Sequence, residues 1–376
     1  MNIVVALEPS LEFKGAYPFS EGRAIIYYAG KIGFIDTGGN TVISPIYDYA
    51  EEFKEGLAKV RKDRKEGFID TKGNIVAPLE YDMTEPFVEG LALVMKGSWR
   101  NRKYGFIDTR GKVVVPLEYD WAKSFSEGLA LVKKGGKYGF VDISGNIVIP
   151  LIYDDAWSFG EGQAIVRNKW KYDLIDSKGN IIMSMPKAFI LRGYSDIEPF
   201  GYGLAIVKTN KYGLIDTGGN VVIKQVYDGM GCFCGGLAWV KKTSKCGFID
   251  TSGNIVIPLI YDSAWPFSEG FALVEKNRKM GYIDANGNIM IPLVYDASKN
   301  FWDNLLKFAA YDYVGNFKEG LAGVITDGKW SYIDTRGNIV ATYDYDLVTY
   351  FNEGYAMVCK DEKWGILHNT AYNRSR

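Results

Sequence analysis

Short blocks of apolar residues alternate with turn-forming residues along this chain, and the stretch 125–153 shows the pattern most clearly. The apolar run 129–133 predicts a strand, Gly135-Gly136 predicts a two-residue turn, and 137–142 predicts the returning strand of a hairpin. Gly-Gly, like the Asp-Gly found at the same place in another copy, suits a type I′ turn because that turn needs positive φ angles. The pattern therefore predicts a β-hairpin.

A second turn and a third strand complete the unit. The run 143–146 ends in Gly-Asn, which predicts a type I turn followed by a left-handed glycine. The third strand, 147–149, runs to Pro150, which cannot donate a ladder hydrogen bond and indicates a sheet edge or the end of central pairing. Apolar residues occupy both strand parities, so each three-stranded antiparallel sheet is expected to be sandwiched between its neighbours.

The same unit recurs along almost the whole chain and can be followed by one lysine. Six of the nine spacings between these lysines are 34 residues, and a fixed period of this size is typical of solenoids, propellers and arrays. The ten lysines are Lys31, Lys65, Lys103, Lys137, Lys171, Lys211, Lys245, Lys279, Lys329 and Lys363. We therefore predict one all-β repeat array over residues 1–367, with a C-terminal tail at 368–376.

The frame of the repeat leaves two architectures open. Residues 2–5 match the third strand of the unit, and the last copy stops after its second strand near Ile366. The N-terminal strand could complete the last unit and close a propeller-like ring, or an open stack could simply begin there.

Three insertions interrupt the period. Residues 98–102 lengthen one hairpin tip and are basic, as expected of a solvated loop. Residues 185–199 lose the usual pattern and predict a seam in the array. Residues 298–316 carry apolar side chains at spacings of three and four, which predict a short amphipathic helix on the stack, used for packing or for a partner.

The composition argues against several classes of function but does not indicate a particular one. The net charge of −1 argues against general affinity for nucleic acid or anionic membranes. The sequence contains neither an apolar run long enough for a membrane helix nor a secretory signal in its first residues, which favours the cytoplasm.

Several motifs resemble those of the WG (KWG) repeat family of bacterial proteins. The match is closest at Lys363-Trp364-Gly365, followed by Lys329-Trp330-Ser331, and segments of the types FxEGLAxV, YGFID and GNxVIP cover nearly the entire chain. The resemblance implies a β-rich module without a common activity. Because repeat numbers vary between family members, it also favours an open superhelical solenoid over a closed ring.

Repeated acids are the first candidates for chemistry. An aspartate ends nearly every YGFID segment and a glutamate precedes the glycine of nearly every FxEG segment, and paired acids can serve hydrolysis. Catalysis requires one pair that differs from the rest, whereas an aspartate at the first position of a turn caps backbone amides in every copy. We therefore expect a structural role for the acids and a solvated row for the ten lysines.

Cysteine and histidine give little support to an enzyme. Cys232 and Cys234 would share one strand face, but a zinc site needs further ligands at a recognised spacing. The one histidine, His368, lies near the C-terminus, so a histidine-based triad is excluded. We predict a non-catalytic protein with no cofactor and no bound metal.

Two functions remain, and each has candidate residues. A scaffold that binds a protein partner would use the insertion around Phe301, Trp302, Leu305 and Phe308. A module that binds glycans or a cell-envelope polymer would use aromatic rows, for which the candidates are Trp121, Trp157 and Trp265. We expect the tryptophans to be buried between repeats and therefore place the protein-binding scaffold first.

Overall fold

The computed structural model describes residues 3–98, 100–184, 196–197, 202–208, 210–216, 220–296, 315–326 and 329–372. These residues form ten small antiparallel β-sheets, each built from one copy of the repeat, so the predicted all-β array is confirmed. We call the sheets blades and number them along the chain as follows: 15–47, 49–81, 83–119, 121–153, 155–184, 196–227, 229–261, 263–296, 321–343, and 347–369 completed by 3–11.

The strands of a blade pair in chain order, except where the N-terminus enters. The first strands are Gly15–Ser20, Tyr49–Ala50, Met83–Thr84, Trp121–Ala122, Asp155–Ala156, Asp196–Ile197, Gly229–Met230, Ser263–Ala264 and Leu347–Val348. The second strands are Arg23–Tyr28, Leu57–Lys62, Leu91–Lys96, Leu129–Lys134, Gln163–Asn168, Leu204–Lys208, Leu237–Lys242, Ala272–Lys276, Leu321–Thr326 and Tyr355–Lys360. The third strands are Lys31–Asp36, Lys65–Asp70, Lys103–Asp108, Lys137–Asp142, Lys171–Asp176, Tyr212–Asp216, Lys245–Asp250, Lys279–Ile283, Lys329–Asp334 and Lys363–Asn369. The fourth strands are Thr41–Tyr47, Ile75–Tyr81, Val113–Tyr119, Ile147–Tyr153, Ile181–Ser184, Val221–Tyr227, Ile255–Tyr261, Ile289–Asp296, Ile339–Tyr343 and Ile3–Leu11.

The prediction of three strands per unit was wrong, because nine of the described sheets have four. The additional strand is the first one, which in most blades spans only two residues, such as Trp121–Ala122. Two residues are too few to show an alternating pattern in the sequence. Between this strand and the second, Glu127-Gly128 forms another tight hairpin with φ angles of 55° and 77°. The expected hairpin at Gly135-Gly136 is also present, with φ angles of 59° and 80°.

The predicted open solenoid was wrong, because the chain closes into a ring and forms a ten-bladed β-propeller. Strand Ile3–Leu11 pairs with Lys363–Asn369 and supplies the fourth strand of blade 10. Side chains from both ends of the chain, including Phe19, Met357 and Trp364, form one buried cluster. The variable repeat number of the family gave no information on closure, which depends on this long-range pairing.

Neighbouring blades pack face to face through aromatic pairs, so the prediction that both faces of the sheets are buried is confirmed. Phe106 of blade 3 contacts Phe125 at the start of blade 4, with ring centroids 4.8 Å apart. Phe140 contacts Phe159 in the same way at 4.9 Å. Equivalent pairs join other blades, and their burial makes the hydrophobic core a continuous series of inter-blade clusters.

The glycine of the YGFID segment allows the fourth strand to bulge. Opposite Gly139, the register shifts between the pairs Tyr138–Tyr153 and Phe140–Ile149, and a Cβ on Gly139 would lie 2.6 Å from the Ile149 carbonyl oxygen. In blades 5 and 9 this position holds Asp173 or Ser331 instead. There the pairing opposite the residue continues without a shift, so the close approach does not arise. The glycine is therefore required by the bulge of the fourth strand.

Candidate functional site

The three tryptophans that we proposed for glycan binding lie half-buried between blades. Trp121 packs against two inter-blade clusters and meets Tyr138 edge to face at 5.9 Å. Trp157 packs beside Tyr172 with ring centroids 6.1 Å apart, and Trp265 packs against the cluster of blades 8 to 10. The protein-binding candidates Phe301, Trp302, Leu305 and Phe308, with the predicted helix at 298–316 and the seam at 185–199, lie outside the described residues or almost entirely so.

The aspartates of the YGFID segments have the structural role that we expected. Asp142 Oδ1 accepts hydrogen bonds from the amides of Ser144 and Asn146 at 2.9 and 2.8 Å. The Asn146 side chain donates to the same carboxylate, and these bonds lower the pKa of Asp142. The same arrangement recurs in other copies, so these carboxylates cap turns.

Most lysines of the row form ion pairs, so the row is more than a solvated face. Lys103 Nζ lies 2.6 Å from Asp120 Oδ1, which comes from the Tyr-Asp pair at the end of the same blade. Asp120 Oδ2 also accepts the amide of Gly135 in the next blade at 2.8 Å. Lys103 and then this amide lower the pKa of Asp120. The Tyr-Asp aspartate thus joins each blade to the next, as the equivalent residues do in several other copies.

The FxEG glutamates form a belt of carboxylates that links consecutive blades. Glu89 accepts the amides of Glu127 and Gly128 at 2.8 and 2.9 Å, and Glu127 in turn accepts that of Gly162. The belt crosses the junction of the two chain ends, where Glu353 accepts the amide of Glu21. Burial raises the pKa of Glu319, another member.

The belt is altered in blades 6 and 7. The positions equivalent to the glutamate hold Tyr202 and Gly235 there, so neither can accept a neighbour's amide through a carboxylate.

Blade 2 breaks the apolar rule of the repeat at two positions. The third residue of the second strand is apolar or glycine in the other nine blades, but it is Lys59 in blade 2. The residue before the glycine position of the YGFID segment is apolar or aromatic in the other nine, but it is Glu66 in blade 2. Both side chains are largely buried: Lys59 is 12% exposed and Glu66 is 8% exposed. This is the one pair of opposite charges that these two positions hold in any blade.

A hydrogen-bonded network compensates these charges. Lys59 Nζ forms an ion pair with Glu51 and donates to the Thr84 carbonyl oxygen at 3.3 Å. The Tyr49 hydroxyl donates to the same Glu51 oxygen at 3.2 Å. On the other side, the amide and hydroxyl of Thr84 donate to Glu66 at 2.7 and 3.2 Å. The network spans blades 2 and 3 and holds these polar groups in fixed positions.

The hydroxyl of Tyr49 in this network has a strongly raised pKa. Burial and then the Glu51 carboxylate raise the pKa of Tyr49 to about 12, so its phenol stays protonated as a hydrogen-bond donor. Its ring is approached by two cations, with Lys59 Nζ 5.4 Å and Arg61 Cζ 5.2 Å from the centroid. Burial also raises the pKa of the nearby Tyr17.

The network forms part of the wall of a cavity of about 440 Å³. Apolar and aromatic residues from blades 1, 2, 3 and 10 form most of the wall, and the charged residues on it are Glu51, Glu52, Lys54 and Lys59. Lys318 lies beside this wall, 4.4 Å from the centroid of the Tyr350 ring, where burial lowers its pKa. Volume and composition are those of a small-ligand site.

Sequence reasoning missed this site although a signal was present. The prediction was based on the residues that the repeats share. The signal is that Lys59 and Glu66 are charged at positions where the other repeats have no charged residue. Their partners Glu51 and Thr84 follow from neither the period nor the spacing, because the packing of blade 2 on blade 3 brings them together.

Cysteine and histidine contribute no site within the described part of the chain. Cys232 is exposed, Cys234 and Cys359 are half-buried, and Cys246 is buried; all four are free thiols. His368 stacks on Tyr355 with ring centroids 4.4 Å apart. No group of three or more metal-ligating side chains occurs in the described residues. The described residues also include no helix with the length and hydrophobicity to span a membrane.

Ten repeated sheets closed by the N-terminal strand define the class of repeat β-propellers. The family model for the WG containing repeat matches nine segments: 32–65, 67–98, 104–138, 138–172, 212–246, 247–279, 280–308, 305–330 and 330–364. These segments cover most of the sequence, and the chain belongs to the WG-repeat family.

Comparison with solved structures supports the fold without indicating a function. The crystal structure of a eukaryotic initiation factor is 11% identical, with a TM-score of 0.52 over 93% of this chain and 97% of the other. Hsv2 from Kluyvelomyces marxianus is 9% identical, with a TM-score of 0.37 over 64% and 92%. At such identities, the first similarity shows a shared fold alone. None of the curated proteins matches this sequence.

Proposed function

We propose that this WG-repeat propeller is a non-catalytic scaffold that binds a protein partner through the fourth strands of blades 7 and 8. One observation supports this proposal: the two neighbouring strands expose six large aliphatic side chains, each between 38% and 59% exposed. They are Ile255, Val256, Ile260, Ile289, Met290 and Val294. Adjacent exposed apolar side chains of this kind are typical of a protein-interaction surface.

The prolines of these strands favour side-chain contacts over strand addition. Pro258 and Pro292 lie in the middle of the two fourth strands, and a proline cannot donate a ladder hydrogen bond. An extended peptide is therefore a poor partner for this edge. A folded partner that covers the aliphatic side chains fits it better.

A non-catalytic role is supported by the way the repeated acids are used. The turn aspartates and several of the belt glutamates already accept backbone amides, and those bonds hold the blades together. A catalytic acid would have to give up bonds of this kind.

The test compares two double variants in affinity purification with quantitative mass spectrometry from the cells that express the protein. Ile255→Asn with Ile289→Asn should remove specific partners that wild type retains. Ile75→Asn with Val113→Asn is the matched control, because blades 2 and 3 have the same exposed first residue but carry Glu80 and Glu118 where blades 7 and 8 have an aliphatic residue. Equal partner recovery from both variants and wild type would refute this surface.

A further inference from the structure

We infer that the cavity between blades 10, 1, 2 and 3 binds a neutral saccharide unit. This site is separate from the aliphatic surface of blades 7 and 8 and from the tryptophans considered above. Three features support the inference: a polar pair held inside an apolar wall, the balance of charge on that wall, and the aromatic rings around it.

The polar pair offers a donor and an acceptor side by side. Lys59 Nζ uses two of its three hydrogens on Glu51 and the Thr84 carbonyl. One carboxylate oxygen of Glu51 pairs with the Lys59 ammonium and accepts the hydrogen bond from the Tyr49 hydroxyl. Among the described residues, the other oxygen of Glu51 accepts no hydrogen bond. One ammonium hydrogen and one carboxylate oxygen therefore remain on neighbouring groups that both line the cavity.

Vicinal hydroxyls match this arrangement. One hydroxyl can accept from Lys59 while its neighbour donates to Glu51, because each hydroxyl is both a donor and an acceptor. A backbone amide matches it poorly, because the N–H and C=O of a trans peptide point in opposite directions. The pair thus favours a polyhydroxylated ligand over a main-chain segment.

The charge of the wall favours a neutral ligand. Glu51 and Glu52 balance Lys54 and Lys59, so the lining carries no net charge. Burial lowers the pKa of the adjacent Lys318, and the negative charges of Glu52 and of the belt residues Glu269, Glu319 and Glu353 oppose that effect. A charged ligand would lose its hydration on entering the cavity, and the wall has no net opposite charge to compensate that loss.

The aromatic wall suits the apolar face of a sugar ring. Tyr17, Tyr49 and Tyr350 line the cavity together with the buried Phe68 and Phe87. Tyrosine combines a broad apolar face with a polar tip, and a pyranose likewise has an apolar face of C–H groups and a rim of hydroxyls. The volume of about 440 Å³ lies in the range of small-ligand pockets.

The experiment is saturation-transfer NMR on the full chain with glucose, galactose, N-acetylglucosamine, cellobiose and maltose. At least one should bind with a dissociation constant below about 10 mM. Lys59→Met should weaken that binding about tenfold or more, since it removes a charged donor while keeping the shape. Lys134→Met is the matched control: Lys134 pairs with Glu118 at 3.0 Å on the surface of blade 4, and its loss should leave binding unchanged.

Two further measurements complete the test. Glu51→Gln, which keeps the side-chain size, should also weaken binding and replaces Lys59→Met if circular dichroism shows that the latter is unfolded. Glucosamine and glucuronate, the charged analogues, should bind more weakly than the neutral sugars. The inference is overturned if all five sugars are silent, if both variants bind like wild type, or if a charged analogue binds as tightly. None of these outcomes depends on the protein-binding surface, which the variants leave intact.

Discussion

The backbone amide of Glu21 donates to Glu353 Oε1 at 2.7 Å, although 332 residues separate the two along the chain. The same carboxylate accepts the amide of Gly22 through its second oxygen, also at 2.7 Å. These bonds join blade 1 to blade 10 in the way that Glu89 joins blade 3 to blade 4. Ring closure therefore uses the same interaction as an internal blade junction.

Glu353→Ala should destabilise the protein by about 1–3 kcal/mol, because two amides lose a charged acceptor. Urea unfolding followed by tryptophan fluorescence measures the change. Glu55→Ala is the matched control: Glu55 has nearly the same φ, 54° against 55°, but its carboxylate accepts no amide among the described residues. Both variants place an alanine at a positive φ, so the effect of the substitution on the backbone is the same in the two. Equal destabilisation of the two variants would therefore contradict a role for the belt in closure.

Gly139→Ala should destabilise by about 3 kcal/mol or more, because the new Cβ meets backbone atoms of the bulged fourth strand that cannot move independently. The control is Ser331→Ala in blade 9, where the pairing has no shift opposite the residue. That change loses one weak hydrogen bond to Thr342 at 3.3 Å and should cost about 1 kcal/mol. Thermal unfolding of the two variants measures the difference, and similar melting temperatures would refute the link between glycine and bulge.

The double variant Lys59→Leu with Glu51→Gln should be as stable as wild type or more stable by about 1–3 kcal/mol. It restores an apolar residue at the position of Lys59 and removes a largely buried ion pair whose desolvation is costly. Lys59→Leu alone should be less stable than the double variant, because it leaves Glu51 without its cation. Denaturant unfolding of the three proteins decides this. A double variant much less stable than wild type would mean that the charges serve stability rather than a ligand.

Acid should weaken the ion pairs between the repeat lysines and the Tyr-Asp aspartates. The lysine partners lower the pKa values of six Tyr-Asp aspartates: Asp48, Asp82, Asp120, Asp154, Asp228 and Asp262. A carboxyl with a lower pKa in the folded state adds stability above its unfolded pKa of about 3.9, and that stability is lost as the pH falls through the folded pKa. The urea concentration at the unfolding midpoint should therefore decrease when the pH is lowered below about 4. Added salt should reduce this effect, since these ion pairs are partly exposed and are screened by salt. A midpoint that rises or stays constant on acidification would contradict this expectation.

Local features of the fold followed from the sequence because they depend on neighbouring residues. The turn at Gly135-Gly136, the capping aspartate at Asp142 and the placement of Pro150 in an edge strand all result from backbone preferences within a few positions. The first strand, such as Trp121–Ala122, escaped prediction because two residues carry no periodicity.

The sequence by itself determined the repeat, its turns, its family and the two charged exceptions at Lys59 and Glu66. Only the tertiary structure decided that the array closes, since pairing of Ile3–Leu11 with Lys363–Asn369 depends on the cumulative rotation of ten blades rather than on any local pattern. Only the structure likewise placed Glu51 and Thr84 beside Lys59, because contacts between blades are set by packing across the sheets.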